Sequence, residues 1–269
     1  QTQRIYVKEP ALWSVDNPCL YRCRVTLWDG ETALDTAESS FGIRRLELDP
    51  VNGLRLNGEK ILLRGGCIHH DNGPLGAATL ERAEERRIEL LKKAGFNSVR
   101  ISHNSSSKAL LDACDRLGML VMEESFDMWT QTKRPFDYSL VFADNWEKDL
   151  EDIVQKDFNH PCVFMYSNGK EIKEIHTPAG AQWSRRLAEK IRSLDTTRHV
   201  TTAINGMIGI MRDLPVVMED MGMTVPERTP GGGINDTMTA LMGAMNYLSS
   251  HPKVEEGLKE AYGTLDLIG

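Results

Sequence analysis

No two cysteines stand as C-x-x-C, and the five present (Cys19, Cys23, Cys67, Cys114 and Cys162) are scattered and odd in number. That argues against a zinc framework or a disulfide scaffold, and free thiols point to a reducing compartment, so a cytoplasmic location is expected. Cys67, Cys114 and Cys162 sit in apolar surroundings and read as small core residues. No apolar run approaches the length of a bilayer span, and the first residues, Gln1 to Tyr6, do not read as a secretory leader. No basic cluster stands out and the net charge is -7, so neither nucleic acid nor an anionic membrane is expected as a partner. H-E-x-x-H and G-x-S-x-G are both missing, which disfavours a zinc hydrolase and a serine nucleophile. Gly231 to Gly233 precede no Lys-Ser/Thr and read as a flexible connection rather than a phosphate cradle. A metal held by His69, His70, His103 and the Glu123–Glu124 pair is the weaker reading, and no metal or cofactor is expected.

What is present suits one large core, or a barrel with a piece of a second domain: 269 residues, 41% of them hydrophobic. Residues 1–46 read as strands, with Tyr21, Cys23, Val25 and Leu27 alternating against polar neighbours and Asp29-Gly30 as a hairpin turn. They predict the last strands of a sandwich domain, residues 1–48, with Asp49-Pro50 marking its end. Residues 51–60 predict a hairpin turning at Asn57-Gly58. Strand and helix then alternate. Strands are expected at 61–64, 98–101, 119–122, 162–166 and 199–203. Helices are expected from a Thr79 cap to Gly95, from Ser107 to Gly118, along Trp146 to Phe158, and along Trp183 to Leu194. Further helices at about 236–249 and 255–261 precede Leu265 to Ile268, which reads as the start of a sixth strand. Repeated βα units over 49–269 predict an α/β fold, an incomplete (β/α)8 barrel. The missing initiator Met and the missing strands suggest a piece of something longer.

The run Cys162 to Tyr166, between Pro161 and Gly169, has the composition of a buried parallel strand, and Glu171 follows it. A carboxyl at the C-terminal end of such a strand is placed to act as a general acid. A helix-start acid is an equally simple reading. The other strand ends carry His69, His70 and Asp71, then His103 and Asn104, then Glu123, Glu124, Asp127 and Trp129. Singly these have plain readings: a loop His, or Glu123 paired with Arg100. Gathered on one barrel face, acids, histidines and a Trp suit a sugar.

These motifs resemble glycoside hydrolase family 2, the β-galactosidase and β-glucuronidase group. The resemblance is carried by Leu12-Trp13-Ser14, Phe41 to Arg44, Leu56 to Gly58, Leu63 to Gly65 with His69, Asn97 to Arg100, Ser102 to Asn104, Asp115 to Gly118, and Asn159 to Pro161 with Ser167, Gly169 and Glu171. It implies an immunoglobulin-like sandwich before the barrel, a β-linked carbohydrate substrate, and a retaining mechanism run by two carboxyls. It also implies Glu171 as the acid/base and His69, His103, Asn104, Lys170, Glu124 and Trp129 around the sugar, with an acidic pair at Glu123 and Glu124 beneath the site. The family's Asn before the acid/base is Lys170 here, which adds a cation beside Glu171 and lowers its pKa. Asn168 replaces a usually apolar residue. No Glu after residue 205 has a matching context for the nucleophile, so this chain alone is expected to be inactive. Homo-oligomerisation through an open sheet edge is also an expectation. The competing reading is a degenerate, non-catalytic sugar-binding or scaffold protein.

Overall fold

A computed structural model describes residues 3–205, 218–220, 222, 251–252, 255, 259 and 261–266. The element order is β1 (Tyr21–Asp29), β2 (Thr32–Phe41), β3 (Leu46–Asp49), β4 (Gly53–Leu56), β5 (Glu59–Lys60), β6 (Gly65–Ile68), α1 (Glu81–Lys93), β7 (Ser98–Ile101), α2 (Lys108–Leu117), β8 (Leu120–Glu124), α3 (Ser139–Asp157), β9 (Val163–Lys170), α4 (Pro178–Leu194) and β10 (His199–Ala203). β1 and β2 form an antiparallel hairpin, β3, β4 and β5 a three-stranded meander, and the remaining strands one sheet ordered β10-β9-β8-β7-β6. β6, β7 and β8 pair in parallel. Parallel strands joined by helices are the α/β barrel pattern.

The chain divides into two compact units. One comprises Gln1–Glu124, Glu151–Tyr166 and Leu194–His199, the other Ser125–Leu150, Ser167–Ser193 and Val200–Gly269.

In the first unit the turn residues do what their chemistry dictates. Asn57 and Gly58 both take positive φ, 56° and 88°, as a two-residue β4–β5 turn needs. Ser107 caps α2, its hydroxyl accepting from the Leu110 N–H at 3.2 Å. Gly118 ends α2 in the left-handed region, and a Cβ there would lie 2.3 Å from the Val15 carbonyl oxygen. Trp13 is fully buried and donates its indole N–H to the Asp115 carbonyl at 2.9 Å. Arg44 donates to the carbonyls of Pro161 and Val163, each at 2.5 Å. These contacts set the start of β9, the strand that leads to Glu171.

Several expectations need correction. Cys67, expected in the core, is exposed. The first barrel strand is 65–68, not 61–64, and Leu62 is 67% exposed. The glycines that look like a turn are the strand: a Cβ on Gly65 would meet the Ser98 hydroxyl oxygen at 2.4 Å, so close pairing with β7 requires glycine. Leu80 rather than Thr79 occupies the N-cap of α1, with no side-chain cap bond. β9 does not stop before Gly169 but runs to Lys170. The half-buried alternation in β1 is not realised at Val25 and Leu27, 63% and 62% exposed, because the two-stranded sheet has nothing packed there among the described residues.

In the second unit β10 gains a neighbour near the chain end. The Asp266 N–H donates to the Val200 carbonyl at 2.9 Å and its carboxylate accepts from the Val200 N–H at 2.8 Å. Leu265 and Asp266 are not in a strand, while 267–268, the 231–233 loop and the helix at 236–249 lie outside the described residues. Of the helix expected at 255–261, Glu255, Lys259 and Ala261 are helical.

Candidate active site

Glu171 follows directly on β9 and has φ 54°, a left-handed backbone that costs a non-glycine residue about 1–2 kcal/mol. Its N–H donates to the Ala203 carbonyl at 3.1 Å. Lys170 Nζ lies 3.0 Å from Glu171 Oε1, and the Asn205 amide donates to the same oxygen at 3.4 Å. Burial favours the neutral carboxyl. The hydrogen bond and charge of Lys170, then Asn205 and Lys133, oppose it and prevail, so Glu171 lies below its ordinary range.

The loop after β8 packs onto this segment within the same unit. Trp129 donates its indole N–H to the Asn168 carbonyl at 3.1 Å. Glu174 accepts from the Thr130 and Gln131 N–H groups at 2.7 and 3.0 Å. Lys133 Nζ reaches the Lys170 carbonyl at 2.9 Å and Asp127 Oδ1 at 2.7 Å. Trp129 is fully buried, so its faces serve the core rather than an open stacking surface. Asn168 is also fully buried and gives its amide to the Ser184 carbonyl at 3.1 Å while Thr202 donates to its oxygen, so it is directed to α4. That polar pairing accounts for Asn where an apolar residue is expected.

The first unit brings together three of the expected residues. His69 and His103 stack with ring centroids 5.3 Å apart. The His103 N–H donates to Glu124 Oε1 at 2.5 Å, with His103 at φ 75°. Asn104 is exposed. The Glu123–Glu124 pair does not act as a pair, because adjacent strand residues point to opposite faces. Glu123 accepts from the Ser106 N–H at 2.6 Å, from the Ser106 hydroxyl at 2.8 Å and from Lys156 at 3.2 Å, rather than pairing with Arg100. Arg87, unremarked in the sequence, holds this corner by donating to the carbonyls of His69 and Asp71.

Among the described residues, Asp115, His160 and Cys162 are the group whose ligand atoms lie within 4.8 Å of one another, all buried. Both Asp115 oxygens are already engaged, by the Cys162 N–H at 3.0 Å and by His160 Nδ1 at 2.6 Å, so the trio fits a core polar knot better than a metal. Lys133 was missed by sequence reasoning, since its acceptor lies 37 residues away and leaves no local signal.

Two family models match the chain: glycosyl hydrolases family 2, TIM barrel domain, over residues 50–235, and glycosyl hydrolases family 2 over residues 1–44. The beta-galactosidase BoGH2A of Bacteroides ovatus is 43% identical over 190 residues, which cover 71% of this chain and 22% of that protein. A solved family 2 member from Bacteroides cellulosilyticus DSM 14838 superposes with a TM-score of 0.73 at 38% identity, covering 97% of this chain and 28% of that one. The beta-glucuronidase of Parabacteroides merdae superposes with a TM-score of 0.64 at 29% identity, over 73% of this chain and 24% of that one. The chain thus spans under a third of the length of each of these proteins. With a strand-end acid flanked by the expected neighbours and a match over most of its length, the chain belongs to glycosyl hydrolases family 2.

Proposed function

We propose that this chain supplies the acid/base part of a retaining β-glycosidase site, with the domain division after residue 48. Glu171 is the acid/base: it protonates the leaving oxygen and then takes a proton from the attacking water. His69, His103, Asn104, Glu124 and Lys170 are the sugar contacts, and Trp129 supports them from the core. The attacking carboxyl is assigned to no residue of this chain. A terminal β-galactoside or β-glucuronide is the substrate class, and the compartment is cytoplasmic. The observation that carries this reading is Glu171 itself, emerging at the end of β9 in a left-handed conformation that the chain maintains at a cost.

An N-bromoacetyl β-galactosylamine, whose electrophile sits where the leaving group would, should alkylate Glu171 and spare the Glu171→Gln variant by mass spectrometry. Equal labelling of both would remove Glu171 from the role. The unlabelled chain should hydrolyse aryl β-glycosides no faster than Glu171→Gln, and brisk turnover would show that a second carboxyl is present.

A second reading, a sugar binder without turnover, is favoured by the Lys170 ammonium at 3.0 Å from Glu171, which holds the carboxyl below its ordinary range and so makes it less apt to carry the proton a general acid must give. Lys170→Asn should move the Glu171 carboxyl upward, towards its ordinary range. A carbon-13 titration of the labelled side chain checks this, and an unchanged or lower midpoint would rule out Lys170 as the cause.

A further inference from the structure

We propose that Lys133 is a positioning residue that clamps the Lys170–Glu171 peptide and so fixes the direction of the Glu171 carboxyl. The inference rests on Glu171 as the acid/base. The peptide plane joining Lys170 to Glu171 is held at both ends. Its N–H donates to the Ala203 carbonyl at 3.1 Å, and its carbonyl accepts from Lys133 Nζ at 2.9 Å. Rotation of that plane is what would release Glu171 from φ 54° to an ordinary backbone conformation. Neither bond can survive such a rotation, because donor and acceptor point in opposite directions across the plane.

The clamp is itself anchored. Lys133 Nζ pairs with Asp127 Oδ1 at 2.7 Å, and the Lys133 side chain is only 16% exposed. The Lys133 backbone N–H donates to Asp137 Oδ2 at 2.6 Å. The same carboxylate takes the Arg134 N–H at 2.8 Å, and its other oxygen takes the Ser139 hydroxyl at 2.6 Å. One residue away, the Thr132 carbonyl accepts from Lys173 Nζ at 2.7 Å, tying the loop to the far side of Glu171. An ammonium suits this place because it offers several donors on a flexible stem and can bridge a carbonyl and a carboxylate. The groups bearing on the Glu171 carboxyl are therefore Lys170, Asn205 and Lys133, with Asp127 partly balancing Lys133.

The test compares Lys133→Met, Lys133→Arg and Asp127→Asn in the full 269-residue chain. Two readouts are used: hydrogen exchange of the Glu171 amide and carbon-13 titration of its carboxyl. Lys133→Met should speed exchange of that amide about tenfold or more, since a hydrogen bond to a charged group is lost from the clamp. It should also move the carboxyl titration upward. Lys133→Arg, which keeps a cation and donors, should restore most of both. Asp127→Asn should speed exchange part of the way, and this readout decides the question if Lys133→Met does not fold. A folded Lys133→Met with wild-type exchange and titration at Glu171, or Asp127→Asn with wild-type exchange, would overturn the proposal, as would Lys133→Arg behaving like Lys133→Met. These readouts follow the clamp whether or not Glu171 reacts with a glycoside. The acid/base reading fails separately, on the labelling experiment.

Discussion

Arg198→Met is expected to destabilise the first unit by about 3–5 kcal/mol, enough to leave much of the chain unfolded at 37 °C. Arg198 is only 7% exposed. Its guanidinium pairs with Asp195 at 2.5 Å and donates to the carbonyls of Val163 at 2.8 Å, His160 at 2.8 Å and Phe158 at 3.1 Å. Met matches the stem but supplies no donor, so a buried carboxylate and several carbonyls lose their partner together. Those carbonyls belong to the turn and first residue of β9, so the damage falls on the strand that carries Glu171. Urea unfolding followed by circular dichroism measures the loss. A change below about 1 kcal/mol would mean that water or neighbouring residues satisfy the turn without Arg198. Adding Asp195→Asn should recover part of the loss, because the uncompensated charge is then gone.

Asp157→Asn should act in the opposite direction at neutral to alkaline pH. Asp157 is buried, and burial drives its carboxyl up from 3.8, with Glu123 adding to the rise; Lys156 and Arg198 pull it back, and it settles at about 7. Tyr166 on β9 is a further titratable neighbour, its phenol raised by burial and in part by Asp157. In the unfolded chain Asp157 titrates near its ordinary value. The folded chain therefore holds a proton that the unfolded chain has released, and the associated stability is fully present below about pH 4 and lost as pH rises to about 7. At about 1.4 kcal/mol per unit the whole effect is at most about 4 kcal/mol. An Asn has no proton to lose. Asp157→Asn should thus flatten this part of the pH profile and exceed wild type in stability at pH 8 by about 1–3 kcal/mol. Denaturant melts at pH 5 and pH 8 on both proteins test it. Parallel profiles would mean that the Lys156 ion pair already compensates Asp157 in full.

Glu123 and Asp157 share Lys156 on the helix side of the sheet, while Glu124 faces His103. Two adjacent acids that look like one pair thus divide into a carboxylate paired with Lys156 and one that holds the His103 backbone. The sequence shows that both are there. Which one faces which side depends on where β8 begins, and that is set by its pairing with β7.

The short-range features were legible from the residues alone. Gly95 and Gly118 end their helices, Asn57-Gly58 turns its hairpin, the β1–β2 turn falls at Gly30-Glu31, one residue past the expected Asp29-Gly30, and the apolar run at 163–166 is a buried strand with Glu171 just beyond it. Each depends on backbone preferences or on a periodicity confined to a few neighbouring residues. Tertiary structure alone decided the rest. It moved the first strand onto Gly65 to Ile68, with Gly65 so close to Ser98 of β7 that only glycine fits there. It buried Trp129 beneath Asn168 and turned Asn168 towards α4. It brought Lys133 to the peptide before Glu171, across 37 residues of chain. Contacts of that span depend on how packed elements meet, and no local spacing of residue types encodes them.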